Sequence, residues 1–357
     1  MPFEFDGLQR SYYFDGINYY FMTKRVEDEE GWSNFVHYVL DGSGNLILRC
    51  ESGPGPSMSI DGLLHSHTWD EERLSSTVWD LRGNILFSVY DIQIFQDGFS
   101  DGLAAFKAVD YEIRGCGSLY FGGYVDIHGN IVFGSEYLFG TSFSNGEAAV
   151  RLSRDEDWII IDRNGERVRD IPNSSDFDFS DTFVNGVAVA REWLFDEEGN
   201  FEGSRIGLIN KNGERITEFV DGMSASPRWP EGMGIAPMNR AGLAILIIDE
   251  NQVVINEQGE VIVQTYPSSG GTNDQTLSLF SSNPGGGSRL IRTSVATPDG
   301  EVRHGILNID GEEILPPEFI RVWPMNDDRW ILVQGEDKTG IKDLEGNWLF
   351  IYEAERR

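Results

Sequence analysis

The stretch Tyr124–Phe133, YVDIHGNIVF, is repeated along the chain. Close copies begin at residue 158 (WIIIDRNGERV), at 207 (GLINKNGERI) and at 305 (GILNIDGEEI). Reduced to (D/N)-x-x-G-(N/E), the pattern starts at Asp41, Asp80, Asp126, Asp162, Asn210, Asn256, Asn308 and Asp343, with glycines at 44, 83, 129, 165, 213, 259, 311 and 346. Successive copies lie 35 to 52 residues apart, the range of blade-like and solenoid repeats, and together they fill the 357 residues. Apolar and β-branched residues stand on both sides of each copy, so each joins two strands. Asp or Asn at the first position can accept a bond from the backbone two residues on. Gly three positions later supplies the positive φ of a type I turn closed by a G1 bulge. The motif is therefore expected to be a hairpin, and it asks nothing of catalysis.

A second element precedes most of these turns: FSDGLAAF at 99, FSNGEAAV at 143, FVNGVAVA at 183 and WPEGMGIA at 229, with looser copies YFDGINYYF at 13 and SIDGLLHSH at 59. In WPMNDDRWILV at 323, Asn326 takes the glycine place, and the seventh copy is blurred in NPGGGSRLIR. Each repeat reads as strand, loop, strand, tight turn, strand and an irregular return. A few short strands cannot bury an apolar face alone, so units must stack. The expectation is an all-β single repeat domain over 1–357, a closed eight-bladed β-propeller, with an open β-solenoid as the alternative. The blade number and blade length favour the ring, and neither end carries an evident cap segment.

The two elements together resemble the WG (KWG) β-repeat of bacterial proteins in a diverged form, over residues 10 to 350. The family's glycine on the strand that runs into the turn is kept at Gly123, Gly207, Gly305 and Gly340, while the Trp-Gly dipeptide is missing from these copies. Trp158 holds the Trp place in the fourth copy, where Ile159 replaces Gly. The resemblance implies a repeat scaffold that binds proteins, and it brings no catalytic residues with it.

Composition narrows the function. With 59 acidic and 28 basic residues the formal charge is −31, which repels nucleic-acid phosphates and anionic lipid and attracts basic surfaces within roughly one Debye length, about 8 Å. At 40% hydrophobic and 12% aromatic residues the chain is too apolar for disorder. The opening MPFEFDGLQRSYYFDG lacks a basic stretch followed by an apolar run, and no run is long enough for a membrane helix, so a cytoplasmic protein is expected. Cys50 and Cys116 are far apart without CxxC spacing, which points to neither a disulfide framework nor a zinc site.

Motifs of chemistry are weak. DGSGN at 41 opens like a calcium loop, but Leu46 stands at position six and Ser52 at position twelve. His65, His67 and Asp70 in HSHTWD form a possible but lone metal pair. There is no Walker A loop, nucleophile elbow or HExxH helix. No cofactor and no metal are therefore expected. What varies between repeats is the loop from the second-element glycine to the turn: 25 residues in the first repeat, 24 in the third, fifth and sixth, and 16 to 18 in the second, fourth and eighth. Those loops are acidic and aromatic, as in KRVEDEEGW at 24, RDEDW at 154 and EWLFDEEGNFEGS at 192. The candidate partner-binding residues are Glu27, Asp28, Glu29, Glu30, Trp32, Asp155, Glu156, Asp157, Trp158, Trp193, Phe195, Asp196, Glu197 and Glu198, with Trp158 fitting a place in the core equally well. The expected function is a non-catalytic scaffold presenting an acidic, aromatic-rich face to a basic protein partner, one form being an immunity protein against a bacterial toxin. The alternative is a propeller that binds or hydrolyses carbohydrate.

Overall fold

A computed structural model describes residues 7–27, 33–51, 55–70, 73–110, 118–134, 136–175, 177–179, 183–198, 200–224, 238–239, 241–248, 251–265, 275–279, 288–325, 328–336 and 338–353. Every strand pairing among them is antiparallel, and none is a helix. Blade one is β1 (Gly7–Phe14), β2 (Ile17–Glu27), β3 (Ser33–Leu40) and β4 (Leu46–Cys50). Blade two is β5 (Ser57–Met58), β6 (Leu64–Asp70), β7 (Arg73–Trp79) and β8 (Ile85–Tyr90). Blade three is β9 (Ile92–Ser100), β10 (Leu103–Asp110), β11 (Ser118–Asp126) and β12 (Ile131–Phe133). Blade four is β13 (Phe139–Gly140), β14 (Glu147–Arg151), β15 (Ile159–Asp162) and β16 (Arg167–Asp170). Blades five and six share a strand: β17 (Phe177–Phe179), β18 (Val187–Phe195), β19 (Phe201–Asn210) and β20 (Val220–Ser224), then β21 (Leu243–Ile248), β22 (Asn251–Asn256) and β23 (Val261–Gln264). Blade seven is β24 (Thr276–Leu279), β25 (Ile291–Ala296), β26 (Val302–Leu307) and β27 (Glu313–Phe319). Blade eight is β28 (Arg321–Met325), β29 (Trp330–Gln334), β30 (Lys338–Lys342) and β31 (Trp348–Glu353).

The fold is a β-propeller of eight blades. The solenoid alternative fails on pairing: stacked coils pair strands of successive repeats in parallel, whereas here each repeat closes its own antiparallel meander in chain order. The irregular return read from sequence is where the missing strand lies. Each holds the first strand of the next blade, such as β9, which runs directly into FSDG. Chain contacts divide into two compact units, residues 1–175 with 282–285, and residues 176–281 with 286–357.

Inside each unit the core lies between blades. Strand β10 shows how: Leu103 and Ala105 pack toward Tyr137, Phe143 and Val150 of blade four, while Ala104 and Phe106 pack with Val78 of blade two. With both faces covered, the strand is apolar at successive positions. In the second unit Val187, Val189 and Leu208 of blade five meet Ala244, Leu246 and Val253 of blade six.

All eight repeated turns are hairpins between a third and a fourth strand, as the sequence implies. At the first, Gly44 N–H donates to the Asp41 carbonyl at 2.9 Å, and the Asp41 carboxylate accepts from the Ser43 and Asn45 N–H groups at 2.9 and 2.8 Å. Those bonds, led by the Asn45 side-chain amide, hold the Asp41 carboxyl below its usual range. Positions one and five are matched in donor and acceptor. Where the first is Asp the fifth is Asn, and Asn84 and Asn130 donate to Asp80 and Asp126 at 2.8 and 3.0 Å. Where the first is Asn the fifth is Glu, and Asn210, Asn256 and Asn308 donate to Glu214, Glu260 and Glu312 at 2.6, 2.8 and 2.9 Å. Asp162 faces Glu166 instead, and its carboxylate takes the Asn164 amide at 3.3 Å.

The turn glycine has a second duty. At Gly83, φ +84, a Cβ would stand 2.2 Å from the Ile47 carbonyl oxygen of blade one's outer strand. Gly129 and Gly165 likewise close onto Phe87 and Phe133 of the blades before them, and Gly311 onto the Ile262 carbonyl. The third-strand glycines are set by their own blade: a Cβ at Gly123, Gly305 or Gly340 would lie 2.5, 2.6 or 2.2 Å from the carbonyl oxygen of Phe133, Leu315 or Phe350 on the fourth strand.

FSDG and its relatives are the hairpins between first and second strands. Asp101 and Gly102 (φ 59° and 80°), Asn145 and Gly146 (55° and 77°) and Asn185 and Gly186 (51° and 82°) are consecutive left-handed residues, the type I′ pair. They also tie blade to blade. Gly102 N–H donates to Asp61 at 2.7 Å and Gly146 N–H to Asp101 at 2.8 Å. In the second unit Ser288 links its neighbours, its carbonyl accepting from the Asn239 amide at 3.0 Å and its hydroxyl donating to Asp328 at 2.8 Å. One repeat differs from the sequence reading. In the sixth, WPEGMGIA falls outside the described residues and the hairpin entering β21 is Asn239–Gly242, closed by Gly242 N–H on the Asn239 carbonyl at 2.9 Å. In the eighth, Asp328 is left-handed, φ 62°, while Asn326 lies outside the described residues.

These contacts separate conformation from space. Gly44→Ala, whose Cβ would meet nothing within 4 Å, is expected to cost about 1–2 kcal/mol from left-handed strain alone. Gly83→Ala, with the same φ but a carbonyl in the way, should cost about 1–3 kcal/mol more in a urea melt. At the fifth turn, Asn210→Asp is expected to destabilise by about 1 kcal/mol by facing Glu214 with a second acceptor. Adding Glu214→Asn should restore stability, a coupling that a double-mutant cycle reads directly.

Candidate functional site

The hairpin joining second and third strands lies at the opposite end of each blade from the two glycine turns, and here the repeats differ. In blades two and six it is tight, from Asp70 to Arg73 and from Ile248 to Asn251. The sixth repeat was expected to carry a long loop here. Its insertion lies earlier, between β20 and β21, because its glycine turn is at 239–242.

In blade five the hairpin becomes an arm. Strand β17 covers β18 only from Ala190 to Glu192, and β20 pairs with β19 only at Arg205 and Ile206. Beyond those points, among the described residues, β18 and β19 pair only with each other: Trp193 with Ser204, Leu194 with Gly203, Phe195 with Phe201. A two-stranded ribbon is marginal in water, so its ends must be fixed. The tip is fixed by a further copy of the repeated turn, DEEGN. Asp196 N–H donates to the Asn200 carbonyl at 2.9 Å, and the Asp196 carboxylate accepts from the Glu198 and Asn200 N–H groups at 2.9 and 2.8 Å. The base is fixed by Trp193, whose indole N–H donates to Asp178 at 2.7 Å while its ring lies 5.1 Å from the Arg191 guanidinium. Arg191 is buried, and burial draws its pKa down, with Asp178 opposing.

Between base and tip, Phe195 and Phe201 stand 58% and 59% exposed with ring centroids 6.3 Å apart, and Trp193 lies 5.7 Å from Phe201. Residues 193–204 contain Asp196, Glu197, Glu198 and Glu202 and neither Lys nor Arg. Two arginines of the same blade pair outside this segment, Arg205 with Asp221 at 3.4 Å and Arg215 with Glu192 at 2.8 Å. Among the described residues no cation pairs with Glu197, Glu198 or Glu202. In blade one Lys24–Glu27 pair with Ser33–Val36 beyond the described pairing of β1 and β4, and Val26 and Phe35 are 40% and 53% exposed, here with Arg25 4.0 Å from Glu27.

The other candidates separate as follows. Glu27 is exposed, and Asp28, Glu29, Glu30 and Trp32 lie outside the described residues. Asp155 and Glu156 are exposed on the loop from β14 to β15. Glu156 and Asp157 line an open cavity of about 310 Å³ with Leu152, Ile159, Arg167 and Asp170. Asp157 is committed to its own chain, accepting from the N–H groups of Asn173, Ser174 and Ser175 at 3.2, 2.7 and 3.0 Å. Trp158 is not a surface anchor: it is 3% exposed, with the buried Arg151 5.0 Å over its ring and Phe139 beside it. Asp196 is a turn-closing carboxylate. Sequence reading passed over Phe201 and Glu202, although DEEG at 196–199 fits the turn pattern, and applying the hairpin pairing there would have placed Phe201 opposite Phe195.

Metal and enzyme signals do not converge. His65 is buried, while His67 contacts the Gln93 amide at 3.1 Å and burial lowers its pKa. No group of three His, Cys, Asp or Glu that could hold a metal occurs among the described residues. Burial pushes the Cys50 thiol up to about 11, away from thiolate chemistry. No helix among the described residues is long and apolar enough to cross a membrane.

No family model matches the chain, and no curated protein is similar to it. Several solved structures are similar in fold. The acylaminoacyl peptidase of Pyrococcus horikoshii matches 96% of this chain with 52% of its own, at 13% identity and a TM-score of 0.45. The β-propeller domain of the Trilobed protease from Pyrococcus furiosus, which has an open velcro topology, matches 97% with 99% of its own, at 10% identity and a TM-score of 0.44. Prolyl oligopeptidase B from Galerina marginata matches 92% with 54% of its own, at 10% identity and a TM-score of 0.46. The chain thus spans about half the length of the two whole peptidases.

Buried and exposed aromatics should respond differently to substitution. Trp158→Ala is expected to lose about 3–5 kcal/mol of stability. The double change Phe195→Ser with Phe201→Ser should stay within about 1 kcal/mol of the parent in a chemical melt.

Proposed function

We propose that this protein is a non-catalytic interaction scaffold that engages a basic protein partner through the acidic, aromatic hairpins between second and third strands. The observation that carries this reading is the blade-five arm, where exposed phenylalanines stand among carboxylates that no cation of the described chain neutralises. A formal charge of −31 extends the same preference over the whole surface and sets itself against phosphate-bearing partners. The reading agrees with what the resemblance to WG repeats implies. Within the class of basic partners, nothing among the described residues singles out a toxin.

Affinity capture with the whole chain as bait, followed by titration of the purified captured protein, tests the proposal. The expected result is a basic protein whose affinity falls at least about tenfold between about 50 and about 500 mM salt. A neutral or acidic partner, a salt-independent affinity, or turnover of a glycan by the chain would overturn it.

A further inference from the structure

The chain repeatedly sets arginine against aromatic rings. Arg151 lies 4.8 Å over Phe139 and 5.0 Å over Trp158, Arg215 lies 4.5 Å over Phe219 and 5.2 Å over Phe177, and Arg191 lies 5.1 Å over Trp193. Phe195 and Phe201 form a comparable ring pair, and no described cation sits over either. We infer that the arm of residues 193–204 is a docking spike for an arginine of a basic protein partner, its side chain laid over Phe195 and Phe201 and its guanidinium paired with the carboxylates beside them. The inference rests on the reading under Proposed function and narrows it to one hairpin and one side-chain type.

Charge complementarity and ring chemistry both select arginine. The faces of the two rings attract a cation, and Glu197, Glu198 and Glu202 add uncompensated negative charge at the same tip. An aliphatic stem with a planar, weakly hydrated head covers apolar rings and accepts paired carboxylates, whereas an ammonium stays more strongly hydrated. The arm meets its ligand preformed: the Asp196–Asn200 turn closes one end, with the Asn200 amide on the Asp196 carboxylate at 2.9 Å, and the Trp193–Asp178 bond holds the other. Little ordering is left to oppose binding.

The test uses the whole chain and fluorescein-labelled 12-residue peptides in which Ser alternates with Arg, Lys or Glu, read by anisotropy. The parent protein is expected to bind the Arg peptide at least about threefold more tightly than the Lys peptide and not to bind the Glu peptide. Phe195→Ser with Phe201→Ser should weaken the Arg peptide about tenfold and remove the preference over Lys. Glu197→Lys with Glu198→Lys and Glu202→Lys should weaken both basic peptides more strongly. A control of equal charge change away from the arm, Asp310→Lys with Glu313→Lys and Glu318→Lys, should leave the Arg preference intact, and thermal melts confirm that each variant is folded. If the control weakens binding as much as the arm variants do, or the phenylalanine pair leaves the Arg preference unchanged, the spike is overturned while a basic partner bound elsewhere still stands. Failure of the parent to bind the Arg peptide overturns the spike as well, and the capture experiment then decides the broader reading alone.

Discussion

A glycine pressed against a neighbour's backbone is the contact on which the architecture turns. At Gly83 the chain must adopt a left-handed conformation to close a hairpin, and the same residue must let the Ile47 carbonyl approach to where a Cβ would be. One atom's absence thus couples the shape of a turn to the spacing between blades. Gly311 approaches the Ile262 carbonyl of the blade before it in the same way, while Gly129 and Gly165 approach the Phe87 and Phe133 rings. Apolar residues on both faces of the inner strands then fill the space so defined, and hydrogen bonds such as Gly146 to Asp101 fasten the first hairpins of adjacent blades at the same end.

Much of the chain's acid belongs to this frame of turns. Many carboxylates carry no message to a partner: Asp80 and Asp126 cap their turns, Asp157 gathers three backbone donors, and Glu214, Glu260 and Glu312 accept from asparagines. A surface built this way is acidic because its hairpins need acceptors. The arm of blade five differs in that Glu197, Glu198 and Glu202 are exposed with no cation paired to them among the described residues, and in that they flank two exposed rings.

Aromatic residues divide by the same logic. Trp158 and Trp193 both sit in acidic sequence beside a buried arginine, yet Trp158 is buried and Trp193 is half-buried at the root of the arm. What separates them is how far the flanking strands extend. The described pairing of β17 ends at Phe177 opposite Glu192, and among the described residues no strand pairs with β18 beyond it on that side.

The amino-acid sequence by itself determined the repeat, the eight hairpins and the all-β class, because a turn with Asp or Asn at its head and Gly at its fourth place is decided by local bonds and local φ. It also contained the match between positions one and five, Asp with Asn and Asn with Glu, as a pattern of donors and acceptors within five residues. The first strand of each blade was not legible, since segments such as β9 and β17 gain their strand character from pairing with a neighbour rather than from a strong local period. The candidate site was legible only as a region: acidic, aromatic loops of unequal length. Which of their residues are exposed was decided by tertiary structure alone. Burial of Trp158, capture of Asp157 by a distant backbone segment, and exposure of Phe195 and Phe201 depend on where strands from other parts of the chain begin and end, and no window of sequence around those residues holds that information.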